Sequence, residues 1–244
     1  MSAAATFGTA TRVLRQLRRD RRTLALAWVV PALLLVLLRY VFDGQPQTFD
    51  GIGAPLVGIF PLITMFLVTS IAMLREHTTG TLERLMSLPL AKLDVLAGYA
   101  IAFALVAAVQ AAIASAVAFG VLGLDVAGPT SLVVALALVN ALLGMALGLV
   151  VSAFAATEFQ AVEFMPAVVL PQLLLCGLLV PRDRMDAALE AISWALPMTY
   201  AYDALDRATK NLLDARLAVD AAVLAAAVLL SLALGAATLR RRTA

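Results

Sequence analysis

The chain has 244 residues, 63% of them hydrophobic and 14% charged. Soluble domains average about 45–50% apolar and about 25% charged, so this composition excludes an ordinary soluble enzyme and equally a disordered chain. The formal net charge is only +2, so where the charges sit says more than their sum.

At the N-terminus, helical spacing puts Arg12, Arg15, Arg18, Arg19 and Arg22 on one face and Phe7, Ala10, Leu14, Leu17 and Leu24 on the other. That pattern predicts an amphipathic helix over 1–22, lying on a membrane surface with its basic face toward anionic lipid. The plainer alternative is a charge cluster that only sets topology. The basic region runs into a stretch of membrane length without a small-residue cleavage pattern, which reads as a retained helix rather than a cleaved signal. A bilayer-crossing helix needs roughly 20 mostly apolar residues. Stretches free of Asp, Glu, Lys and Arg run over 24–38, 51–74, 95–124, 126–157, 164–181 and 221–239, which predicts six spans. The first is short, but Arg39 can snorkel and let it reach Phe42. Gly128-Pro129 marks the turn into the fourth span, and Pro166 and Pro171 predict a bend in the fifth. The uncharged run 191–202 is too brief to cross and reads as a re-entrant or interfacial helix within an external segment, 182–216. The expected fold is an all-α integral membrane protein, one transmembrane domain over 1–244.

Charge placement orients it. Arg12, Arg15, Arg18, Arg19, Arg21 and Arg22 precede the first span, Arg75, Arg84 and Lys92 lie between the second and third, and Arg240, Arg241 and Arg242 follow the last. Together they make 12 of the 18 basic residues. Positive charge favours the cytoplasmic side, so both termini and the loop 75–92 are expected in the cytoplasm, with 43–50 outside. Segment 182–216 runs against this trend with five basic residues, interleaved with Asp183, Asp186, Glu190, Asp203, Asp206 and Asp214.

One cysteine, Cys176, and one histidine, His77, give neither an intrachain disulfide nor a multi-histidine metal site. His77 reads as a solvated loop residue. No Gly-x4-Gly-Lys-Ser/Thr phosphate loop occurs. The spans hold no carboxylate in their apolar centres, and ion-coupled transporters commonly need one. Any driving energy is therefore expected to enter through the cytoplasmic loop. In span four Asn140, Gly144, Gly148 and Ser152 recur every four residues on one face, a helix-packing pattern that lets backbones approach closely.

The loop after span two is the most informative segment. Gly80 suits the entry to a short helix over 81–88, roughly 12 Å long at 1.5 Å per residue, and Pro89 stops it. Leu82, Leu85, Met86 and Pro89 fall on one side, while Glu83, Arg84 and Ser87 stay polar. An apolar knob on a charged base fits a groove on another protein.

The pattern Arg75-Glu76, Gly80-Thr81, Glu83, Leu85 and Pro89 resembles the cytoplasmic coupling loop of type-2 ABC exporter permeases. Phe164-Met165-Pro166, Leu170-Pro171-Gln172, Cys176-Gly177, Pro181 and Leu196-Pro197-Met198-Thr199-Tyr200 are similar to that family's fifth span and the external re-entrant helices after it. The resemblance covers nearly the whole chain. It implies a multi-pass plasma-membrane permease that exports a drug, antibiotic or lipid-like amphiphile. It also implies a separate ATP-binding cassette subunit carrying ATP and Mg, with no cofactor on this chain, and a second copy or similar permease beside it. Nucleic acid is not among the implied partners. Arg75, Glu76, Gly80, Thr81, Leu82, Glu83, Arg84, Leu85, Met86 and Pro89 would couple to the ATPase. Phe60, Met65, Phe66, Pro171, Gln172 and Leu175, on spans two and five, would line the path. The alternatives are a non-transporting membrane scaffold and an intramembrane lipid-modifying enzyme. For the enzyme, the sequence offers no nucleophile–base pair at membrane depth.

Overall fold

The structure is a computed structural model that describes residues 2–81, 84–85 and 91–238. Among these residues it is helical throughout, with no strand. Helix α1 spans Ala3–Arg19. It stops at Asp20 without glycine or proline. The Asp20 carboxylate accepts hydrogen bonds from the Thr23 N–H (3.1 Å) and the Thr23 hydroxyl (2.6 Å). It thereby caps α2, Arg21–Val41.

Helix α3, Pro46–Thr78, starts on a proline, whose missing N–H costs nothing in a first turn. Helix α4 is Lys92–Ser115, and the chain continues as a wider π-type turn over Ala116–Val121. Helix α5, Thr130–Ser152, begins directly after Pro129. Helix α6 is Glu158–Leu175, with Pro166 and Pro171 inside it. The Gln160 N–H donates to the Thr157 hydroxyl, and the Gln160 side chain accepts from the Ala156 N–H. This cap sets the start of α6 six residues before 164–181 begins, and the helix ends at Leu175 rather than at 181. The apolar run therefore misplaces both ends of span five.

Helix α7, Ala187–Ser193, and helix α8, Pro197–Thr209, replace the single helix expected over 191–202. The break falls where it should physically. Pro197 disfavours helix at Leu196, which is extended with φ −98° and ψ 125°. Helix α9 is Ala215–Thr238, capped by Asp214 accepting from the Leu217 N–H.

Six helices (α2, α3, α4 with its π turn, α5, α6 and α9) are long and apolar enough to cross a membrane. The chain is a multi-pass membrane protein. Helix α3 is the central post and α2 and α6 are the most exposed spans. The seam between α3 and α5 is the most extensive in the molecule. A Cβ on Gly144 would lie 2.0 Å from the Leu62 carbonyl oxygen, and one on Gly148 would lie 2.5 Å from that of Phe66. The face Asn140, Gly144, Gly148, Ser152 therefore lies against α3 at backbone distance.

Candidate functional site at the Arg75 end of the bundle

Helix α3 does not stop where its apolar run stops. Arg75 and Glu76 end that run but occupy the last helical turn, which continues to Thr78. Charge terminates hydrophobicity, not hydrogen bonding. Neither residue is in the loop where the sequence pattern puts it, and neither is His77, which is half-buried in the same turn.

Arg75 grips two other elements. Its Nε and Nη2 donate to the two carboxylate oxygens of Glu158 at 2.7 and 3.0 Å, and Nη1 donates to Asp20 at 3.1 Å. A guanidinium fork on a carboxylate is the strongest geometry such a pair adopts. One side chain thus ties the end of α3 to the α1–α2 corner and to the first residue of α6. The Thr23 hydroxyl, then its N–H and Arg75, hold the Asp20 carboxyl below the usual carboxylate range.

Glu76 points inward and is 3% exposed. It accepts from the Tyr99 hydroxyl on α4 and from the Arg12 guanidinium on α1, the latter at 3.1 Å. Arg12 also donates to the Tyr99 oxygen and lies 5.5 Å from the ring centroid. Arg12 therefore turns its guanidinium from the basic face toward Glu76 and Tyr99. Helix α1 rests on protein through Thr6, Thr9, Ala10, Val13 and Leu17, all buried, largely against α4. Arg15, Arg18 and Arg19 remain exposed. A cavity of about 50 Å³ sits amid Leu17, Thr23, Arg75, Glu76 and Tyr99.

Beyond Thr79 the chain turns through Gly80 in the left-handed region, φ 69°, which a side chain would strain. The Gly80 carbonyl then accepts from the Arg84 N–H at 3.1 Å, so one glycine ends α3 and opens the next turn. Thr81, Arg84 and Leu85 are helical. Leu85 packs against the apolar cluster holding Val13, Leu17, Val95 and Tyr99. The Thr79 and Thr81 hydroxyls lie 2.9 Å apart. Leu82, Glu83, Met86 and Pro89 lie outside the described residues.

The wall residues separate by exposure. Met65 and Phe66 are wholly enclosed within the subunit, which removes them from any surface between two subunits. Phe60 and Leu175 are half-buried and Pro171 is exposed. Gln172 is buried and donates to the Val168 carbonyl.

At the opposite end a buried carboxylate sits just ahead of the sixth charge-free run. Asp220, in the second turn of α9, is fully buried, 3.6 Å from the Arg207 Nε and 3.3 Å from the Arg216 Nε. Arg182 makes a two-pronged pair with Asp203 at 2.9 and 2.6 Å. The Arg182 and Arg216 guanidiniums both lie over the Trp194 ring, 4.7 and 5.0 Å from its centroid. Lys210 pairs with Asp206, and Arg207 also with Asp214. So Arg182, Arg207, Lys210 and Arg216, four of the five basic residues that run against the topological trend, are each neutralised locally. Burial pushes the nearby Cys176 thiol up and the Tyr202 hydroxyl up to about 12.

Sequence reasoning missed Asp20, Tyr99 and Glu158. Two carried a signal. Asp20 is the one acidic residue in the first 42, and Tyr99 is the one tyrosine inside a charge-free run long enough to cross a membrane.

The architecture and these polar ties define a class, a polytopic helical membrane protein whose α1, α3, α4 and α6 are knotted together at one end. Residues 6–208 match the model of the ABC-2 type transporter family, and the chain belongs to that family. Among similar proteins, the probable multidrug ABC transporter permease YbhR of Escherichia coli (strain K12) is 26% identical over 148 residues, 61% of this chain and 40% of that protein. The probable multidrug ABC transporter permease YbhS of the same organism is 24% identical over 169 residues, covering 69% and 45%. ABC transporter G family member 20 of Dictyostelium discoideum is 24% identical over 164 residues, covering 66% and 22%. The chain thus spans less than half the length of these relatives.

Proposed function

We propose that this chain is the membrane subunit of an ATP-driven exporter that moves an amphiphilic, drug- or lipid-like substrate outward across the plasma membrane. ATP and Mg belong to a separate ATP-binding subunit seated on the loop that follows Gly80. A second copy of the chain, or a similar permease, completes the path. Both termini and this loop face the cytoplasm. Helix α1 lies along the inner membrane surface, and α7 and α8 form a re-entrant pair at the outer side.

The observation that carries this reading is the knot at the Arg75 end. A docked ATPase pushing on the turn at 80–85 meets Leu85 on the α1–α4 cluster and, one turn back, Glu76 and Arg75. Through them the push reaches α1, the start of α2, α4 and the start of α6. Packed interfaces of this kind shift between discrete arrangements rather than deforming smoothly. Two arrangements of the knot would open the path alternately to the two sides. Phe60, Pro171 and Leu175, at the surface of α3 and α6, supply a mostly apolar wall suited to amphiphiles.

Co-purification from native membranes in mild detergent tests the assembly. Recovery of an active transporter without an ATPase would overturn it. ATP hydrolysis by the purified complex, stimulated by candidate amphiphiles, then narrows the substrate.

A further inference from the structure

The α1–α2 corner carries charge that the fold does not use. Arg15, Arg18 and Arg19 in the last turns of α1 and Arg21 at the start of α2 line one concavity of about 430 Å³. None of the four makes a hydrogen bond or ion pair among the described residues. Their neighbours show the contrast, since Arg12 and Arg75 are each bound to two acidic or phenolic partners. Four guanidiniums around one hollow repel one another unless an anion sits between them. Guanidinium forks match the oxygens of a phosphate.

An exposed apolar track begins on α2 five residues beyond Arg21. Arg22, Leu26, Val29, Leu33, Leu37 and Tyr40 recur at intervals of three and four and share one face of α2. Leu26, Val29, Leu33, Leu37 and Tyr40 are 50–74% exposed, whereas Ala27, Pro31 and Leu35 on the other face are buried. From Leu26 to Tyr40 the track runs roughly 21 Å at 1.5 Å per rise, longer than one leaflet of a bilayer core about 30 Å thick. A basic hollow at the head of an exposed apolar track has the polarity of a phospholipid with an anionic headgroup.

We propose that Arg15, Arg18, Arg19 and Arg21 hold the headgroup of an anionic phospholipid whose acyl chains lie along the Leu26–Val29–Leu33–Leu37 face of α2. A nucleic acid would leave the apolar track unused. A free phosphate would use the hollow alone. The inference rests on the membrane placement of α1 and α2 given above, but not on the ATPase.

The test is native mass spectrometry of the detergent-purified full chain with phosphatidylglycerol or phosphatidylcholine of the same acyl chains. Phosphatidylglycerol is expected to be retained preferentially. A basic residue near an anionic lipid surface contributes about 1 kcal/mol, about fivefold in affinity. Combined Arg15→Gln, Arg18→Gln, Arg19→Gln and Arg21→Gln should therefore abolish the preference. The same four positions as Lys should keep part of it, and Arg184→Gln at the far end should leave it unchanged. Equal retention of the two lipids, or undiminished preference in the Gln variant, overturns the site. Binding of soluble glycerophosphoglycerol as tight as that of the lipid would overturn the lipid in favour of a free anion. A Gln variant that keeps its lipid preference but no longer captures the ATP-binding subunit would overturn it in favour of a protein surface. Capture of that subunit without lipid selectivity defeats this inference alone. In the wild type, selectivity without capture defeats the exporter reading alone.

Discussion

Asp20 caps α2 and receives Arg75 with one carboxylate, while its backbone N–H closes the last turn of α1. Its carboxyl is held below the ordinary range, first by the Thr23 hydroxyl. A depressed folded value means that this stabilisation is complete above the carboxyl's unfolded value, near pH 4. It is lost as pH falls through the folded value. The corner is therefore expected to be insensitive to pH at neutrality and to loosen only in stronger acid. Hydrogen exchange at the Thr23 amide should show loss of protection below about pH 4. Asp20→Ala should lose about 1 kcal/mol of capping at neutral pH and abolish that acid dependence. An amide whose protection has the same acid dependence in both proteins would contradict this. Glu76 is a harsher case because it is buried. Glu76→Ala leaves the Tyr99 hydroxyl and the Arg12 guanidinium facing a void, and removing one partner of a buried pair costs about 3–5 kcal/mol. Arg12 is one-third exposed and can recruit water, so about 3 kcal/mol is expected. Glu76→Gln retains an acceptor for Tyr99 and should cost less. Apparent melting of the detergent-purified variants should rank wild type, Gln, Ala. Equal melting would show that the three side chains are not coupled.

At the scale of elements, the α3–α5 seam depends on missing side chains. A Cβ at Gly144 would meet backbone atoms of Leu62, so no flexible side chain can yield. Gly144→Ala is expected to force α3 and α5 apart, at a cost of about 1–3 kcal/mol or more. Gly235→Ala is the control, because its Cβ would meet nothing nearer than Leu149 at 3.6 Å. Its melting should match or slightly exceed the wild type, because alanine favours a helix over glycine, and equal loss in both variants would show that the seam is not responsible. Much of this architecture could be read from the chain. The apolar runs are long enough that six spans follow from length alone, and the four-residue recurrence of Asn140, Gly144, Gly148 and Ser152 marks a face without any partner in view. The boundaries were less legible, since a charge-free window stops at a charge while a helix need not. Glu158 and Glu163 hid the first turns of α6, although Thr157 and Gln160 carried its cap. Asp220 hid because its partners, Arg207 and Arg216, reach it from across a turn and along its own helix. The candidate site was legible in part. Arg75 and Glu76 could be singled out, but their partners lie up to 83 residues away. Only the folded chain shows that one faces outward to two carboxylates and the other inward to a phenol.

For the whole molecule, the decisive question for the proposed exporter is whether motion at the turn after Gly80 must pass through Arg75. Arg75 is 45% exposed at its side chain, and its partners Glu158 and Asp20 are 53% and 35% exposed. Ion pairs this wet contribute about 0–1 kcal/mol to stability. The fold therefore does not depend on them, and Arg75→Ala is expected to insert, to melt close to the wild type and to retain the ATP-binding subunit. What it should lose is communication, because α3 is then free to move without carrying the α1–α2 corner or the start of α6. ATP hydrolysis by the complex should persist while transport falls several-fold. Leu85→Asp should behave differently. Leu85 is packed on the cluster of Val13, Leu17 and Tyr99, and a carboxylate there faces apolar groups without a partner. Assembly with the ATPase should itself weaken, and hydrolysis should fall with it. Exchanging the charges, Arg75→Glu with Glu158→Arg, restores the α3–α6 tie while setting two carboxylates against each other at the Asp20 corner. Partial recovery of transport in the exchange is therefore expected. Co-purification, hydrolysis and transport measured side by side distinguish the cases. Full transport by Arg75→Ala would show that the ties at this end only decorate the bundle, and that force enters it by another route.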